Sequence, residues 1–136
     1  KMGKSEGNCI YLVDDEKTLR KKVMRAVTDA GPTEPGSTPT EPVANLFTLM
    51  DLVSEPDTAD HFRKAYADCS IRYGDLKKQL AEDILKITLP IRERVLEIRN
   101  DDQYLSRVVR EGAERARDIA ADTLRDVRHI MGIRKI

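Results

Sequence analysis

Apolar residues recur at helical spacing along most of this chain, and the interruptions fall at Gly, Pro and Asp. Leu19, Val23, Ala26, Val27 and Ala30 repeat on one face, while Lys17, Arg20, Lys21, Lys22 and Arg25 cover the others. That is the pattern of a helix lying against a core. Asp14 or Asp15 stands where an N-cap carboxylate accepts the free N–H groups of a first turn. Gly31 and Pro32 predict the end, because glycine accepts the left-handed cap and proline cannot continue the ladder. Upstream, Ile10-Tyr11-Leu12-Val13 suits a brief strand or a packed connection, with the connection the favoured reading.

Residues 31–42 are dense in Pro, Gly, Ser and Thr, which describes a long surface loop rather than a boundary between two cores. Pro42 then suits a first helical turn. Leu46, Leu49, Met50 and Val53 form the stripe of a short helix ending near Pro56. Another starts at Asp57 or Thr58, with Phe62, Ala65, Tyr66 and Cys69 facing inward. Tyr73-Gly74-Asp75 restarts the chain, with Asp75 as cap. From there Leu76, Leu80, Ile84, Ile87, Ile91, Val95 and Ile98 step by four and three, and Leu85, Leu89 and Leu96 widen the stripe. Pro90 lies inside this long helix and should bend it, at a cost of about 3 kcal/mol that packing must offset. After Asn100-Asp101-Asp102 a last helix carries Leu105, Val108, Val109, Ile119, Leu124 and Val127, and ends at Gly132. Its Gly112, Ala113, Ala116 and Ala120 would admit a close neighbour. The fold class expected is all-α, a bundle of four to six helices.

Composition narrows the chemistry. The 136 residues fit one domain with a real core, and 24 basic residues balance 24 acidic ones. With no net positive charge, any RNA contact must come from a local face. Aromatic residues are 4% of the chain and Trp is absent, so stacking platforms for single-stranded bases are few. Cys9 and Cys69 have no partner spacing and read as reduced thiols in a cytosolic protein. No apolar run approaches the roughly 18 residues of a membrane span. His61 and His129 lack a base-and-nucleophile setting, and Asp14-Asp15 is a cap rather than a metal-ligand pair.

The opening Lys1-Met2-Gly3-Lys4-Ser5 carries the candidate chemistry. Backbone N–H groups in a glycine-containing loop point at anions, and lysine ammonium groups add point charges suited to phosphate oxygens. A lysine-rich terminus is also what a solvated tail looks like. Residues 1–8 are expected to be disordered or irregular, being a terminus with nothing to rest on. A signature at the extreme edge of the chain suggests a piece of something longer.

The pentapeptide resembles the KMSKS signature of class I aminoacyl-tRNA synthetases. The rest of the chain resembles the tryptophanyl members of that family. The matching blocks include Leu12-Val13-Asp14-Asp15-Glu16-Lys17-Thr18, Arg25-Ala26-Val27-Thr28-Asp29, Val43-Ala44-Asn45-Leu46 and Tyr73-Gly74-Asp75-Leu76-Lys77. They continue with Pro90-Ile91-Arg92-Glu93-Arg94, Gly112-Ala113-Glu114-Arg115-Ala116-Arg117 with Ile119-Ala120, Thr123-Leu124 and Met131-Gly132. The resemblance implies the C-terminal part of such an enzyme. Residues 1–8 would be the ATP-phosphate loop at the end of a Rossmann catalytic fold that is missing here, and residues 9–136 a helical, anticodon-binding-like domain. It implies Lys1 and Lys4 as catalytic, with Met2, Gly3 and Ser5 helping to hold ATP. Gly3 departs from the usual serine. A lost hydroxyl costs about 0.5–1.5 kcal/mol and the looser backbone about 0.5–1 kcal/mol, too little to abolish the role.

The partners implied are ATP with magnesium, tryptophan and its tRNA, for a cytoplasmic and homodimeric parent with no membrane contact. Arg107, Arg110, Arg115 and Arg117 are the candidate RNA contacts, and their bland alternative is pairing with Glu111, Glu114 and Asp118. A stand-alone helical RNA-binding or adaptor module is the competing reading. The isolated piece is expected to be inactive and to bind ATP weakly or not at all, since one loop buries little of a ligand.

Overall fold

The computed structural model describes Gly7 and residues 9–133, and among them five helices and no strand: α1 (Glu16–Met24), α2 (Glu41–Val53), α3 (Pro56–Ala67), α4 (Tyr73–Arg99) and α5 (Asp102–Ile130). The chain separates into two compact units, Lys1–Glu93 and Arg94–Ile136, with the division falling inside α4. Residues 10–13 form no strand and lead into α1 through a turn closed by Asp14 N–H donating to the Tyr11 carbonyl at 3.0 Å.

Asp15 is the N-cap of α1, its carboxylate accepting from the Thr18 N–H at 2.9 Å and the Thr18 hydroxyl at 2.7 Å. These bonds to the ionised form hold its pKa below the usual carboxylate range. Leu19 and Val23 are buried, as their spacing implies. The helix does not reach Ala30, however. It stops at Met24, and Val27 is 71% exposed. Val27, Thr28 and Asp29 are weak helix formers, and α4 competes for the groups a longer helix would use. Lys77 Nζ donates to the Ala26 carbonyl at 2.7 Å, the acceptor that a continuing helix would give to Ala30.

Pro42 and Pro56 both sit in first turns, where a missing N–H is harmless. On α2 the buried residues are Val43, Leu46, Phe47 and Met50; the expected Leu49 and Val53 are only half-buried. Phe47 meets Tyr66 of α3 edge to face, with ring centroids 6.0 Å apart. Cys69 does not face inward. It is exposed, with φ 56°, and ends α3 as the left-handed residue while Ser70 N–H donates to the Ala65 carbonyl at 2.8 Å. α4 begins at Tyr73, so Asp75 belongs to its first turn instead of capping it.

Leu76, Leu80, Ala81, Ile84 and Leu85 of α4 complete the core with Leu19, Val43, Met50 and Tyr66. Each fully buried Leu or Met contributes about 1.5–3 kcal/mol. The continuous buried stripe expected along α4 ends at Thr88. Past it Ile91 and Val95 are exposed, as is Ile87 before it, and Pro90 lies within the helix. In the second unit, Asp101 caps α5 through the Tyr104 N–H at 2.8 Å, and Gly132 (φ +69°) follows its end. No residue of α5 is buried among those described. Among the described residues no helix is long and apolar enough to cross a membrane.

Candidate functional site

The five signature residues Lys1, Met2, Gly3, Lys4 and Ser5, and the irregularity expected of residues 1–8 apart from Gly7, lie outside the described residues. What is described is how the chain is fastened just after them. Lys22, near the end of α1, reaches back to Asp14 with Nζ–Oδ2 at 2.5 Å. The same carboxylate oxygen accepts the Tyr11 N–H at 2.9 Å, and the Lys22 ammonium lies 4.7 Å from the centre of the Tyr11 ring. α1 is tied to α4 in turn. The Arg20 guanidinium donates to Glu82 at 2.7 Å, and Glu82 together with Glu16 pushes its pKa above the ordinary arginine value.

A second set of bonds fixes the segment after α1. The Asp29 carboxylate accepts from the Thr40 hydroxyl at 2.5 Å, the Tyr73 hydroxyl at 2.5 Å and the Gly31 N–H at 2.8 Å. These donors, Thr40 first, hold its pKa down. Tyr73 is shifted the other way, by burial and by the bond to the Asp29 carboxylate. Lys77, 8% exposed, adds bonds to the Ala26 carbonyl and, at 3.3 Å, to the Thr28 hydroxyl. Tyr73 and Lys77 are four apart on α4 and so share a face. A bond to a charged acceptor is worth more than a neutral one, but Asp29 keeps two other donors when the phenol is removed. Tyr73→Phe is therefore expected to lower unfolding free energy by about 1 kcal/mol in urea titration; a change within error would make the phenol dispensable.

Sequence reading missed Asp29 and Lys77 as structural groups. A signal for Lys77 existed: Ala81, Ile84 and Thr88 stand four, seven and eleven residues on, so the lysine lies on the buried arc. For Asp29 only the bond to the Gly31 N–H, two residues on, has a local signal, an aspartate opening a turn; its partner Tyr73 is 44 residues away.

Beside these bonds, the first unit has an open groove of about 990 Å³. Val27, Leu46, Leu49 and Leu52 supply apolar wall, and Lys21 and Arg25 supply charge. Among the described residues no three His, Cys, Asp or Glu gather to hold a metal.

The four candidate arginines lie on α5, in the second unit. Arg115 comes within 3.9 Å of Glu111, a loose pair at i, i+4. Arg107 lies over the Tyr104 ring at 5.4 Å instead of pairing with a carboxylate. Arg110 and Arg117 make no ion pair among the described residues. A salt-bridged surface therefore accounts for one of the four.

The family model described as tRNA synthetases class I (W and Y) matches residues 1–88. Among curated relatives, the tryptophan–tRNA ligase of Porphyromonas gingivalis is 64% identical over 98% of this chain and 41% of its own length. A tryptophan–tRNA ligase of Streptomyces coelicolor is 38% identical over 98% of this chain and 39% of its own. Of solved structures, the tryptophanyl-tRNA synthetase of Campylobacter jejuni matches with TM-score 0.78 and 26% identity, over 97% of this chain and 42% of that one. The same enzyme is known complexed with ADP and tryptophan, and matches equally well. The chain thus spans about two-fifths of the length of the relatives it matches. With that family model covering well over half of its residues, the chain belongs to the class I tRNA synthetases of the W and Y group.

Proposed function

We propose that these residues act as the signature loop and helical tRNA-binding part of a tryptophan–tRNA ligase. The observation that carries this is the 64% identity to the Porphyromonas gingivalis ligase across 98% of the chain. Residues 1–8 form the ATP-phosphate loop and residues 9–136 the helical domain. The activity itself, the tryptophan pocket and the homodimer expected of the parent belong to the whole enzyme, in the cytoplasm.

Activation joins the tryptophan carboxylate to the α-phosphorus of ATP and expels pyrophosphate. Charge spreads over phosphate oxygens in the transition state, so positioning and electrostatic stabilisation do most of the catalysis. Lys4 and Lys1 bring ammonium groups to those oxygens, while Ser5 and the N–H groups around Met2 and Gly3 hold the nucleotide. Magnesium enters with the ATP phosphates, which supply oxygens of the kind it prefers. The tryptophanyl group then passes to the terminal adenosine of the tRNA. On α5, Arg107, Arg110, Arg115 and Arg117 offer planar donors for phosphates and faces for base stacking.

The test is a chimera in which these 136 residues replace the matching part of the Porphyromonas gingivalis enzyme. It is expected to charge tRNA with tryptophan at a rate within about tenfold of that enzyme, a barrier change near 1.4 kcal/mol. A folded chimera without tryptophan-dependent pyrophosphate exchange would overturn the reading.

A further inference from the structure

We propose that Lys22 is a positioning residue for amino-acid activation, fastening the root of the ATP-phosphate loop to α1; this rests on the ligase reading. Residues 11–14 are the path by which the chain passes from the signature to α1. Lys22 holds that path at two points, by its ion pair with Asp14 at 2.5 Å and by its ammonium over the Tyr11 ring at 4.7 Å. Asp14 closes the arrangement by accepting the Tyr11 N–H at 2.9 Å.

The pair is partly withdrawn from water, with side-chain exposures of 19% for Lys22 and 11% for Asp14, so salt screens it less than a surface pair. Its footing is firm. Leu19 and Val23 sink α1 into the core, and Arg20 ties it to Glu82 of α4 at 2.7 Å. The other α1 lysines do not duplicate this role. Lys17 and Lys21 are exposed and make no ion pair among the described residues.

With Tyr11 and Asp14 already held, less ordering of that path remains to be done when ATP binds. Cutting the tie should weaken the use of ATP and leave the binding of tryptophan alone. A pair that only stabilised the fold would change both together or neither.

The measurement is pyrophosphate exchange by the chimera, with ATP and tryptophan varied separately. Lys22→Met is expected to lower kcat/KM for ATP about tenfold and to change the KM for tryptophan by less than about twofold. Lys22→Arg, which keeps the charge, should restore most of the loss. Asp14→Asn approaches the pair from its other end and should reproduce the ATP effect. A readout apart from catalysis is hydrogen exchange of the Tyr11 amide in the 136-residue chain, expected to quicken in Lys22→Met. A KM for tryptophan that rises as much as the KM for ATP, or no loss in either variant, would overturn the proposal. An inactive unsubstituted chimera would instead sink the ligase reading, and the proposal with it.

Discussion

Replacing Lys4 by alanine in the chimeric enzyme is expected to slow tryptophan-dependent pyrophosphate exchange by about 10²–10³-fold, equivalent to roughly 3–4 kcal/mol of transition-state stabilisation. An ammonium aimed at phosphate oxygens works most where charge accumulates, so the loss should fall mainly on kcat and on kcat/KM for ATP. Binding of tRNA, measured separately by filter retention, should hold within about twofold, because the arginines proposed to contact it lie on α5. Lys4→Arg should recover only part of the rate, since a planar fork does not reproduce a compact point charge. Exchange unchanged in Lys4→Ala would remove the catalytic role from this residue.

The second large effect is structural. Leu80 is fully buried in the first third of α4 and belongs to the cluster that joins α1, α2, α3 and α4. Leu80→Ala removes its transfer energy and leaves a cavity that packed neighbours close only in part. The expected loss is about 3 kcal/mol, within the roughly 2–5 kcal/mol usual for such changes. Against a total stability of about 5–15 kcal/mol for a domain, that is a visible fraction. Urea titration followed by circular dichroism measures it. A shift below about 1 kcal/mol would mean that the site collapses freely or is less central than its burial indicates.

Local chemistry in the sequence anticipated local structure well. The carboxylate at Asp15, the prolines at 42 and 56 and the glycine at 132 mark helix boundaries, because each acts on its own backbone neighbours. The errors arise where distant residues compete. Leu19, Val23, Ala26, Val27 and Ala30 have the spacing of one long helix, yet the last three lie beyond its end, where Lys77 and Tyr73 bind the segment in another conformation. Cys69 follows the apolar spacing of α3 and still faces water, since the helix needed a left-handed residue at that point. Periodicity also says which face of a helix is apolar without saying what covers it. The stripe of α5 is regular in sequence, yet none of its described residues is buried. For the site, the motif made Lys1 to Ser5 readable, whereas the Lys22–Asp14 tie depends on a side chain reaching back over eight residues.

α4 has one more consequence. Its 27 residues make a rod of about 40 Å. Among the described residues its last buried side chain is Thr88, and Pro90, two positions on, can give no N–H to the ladder. Backbone amides of α4 are therefore expected to be better protected before the proline than after it.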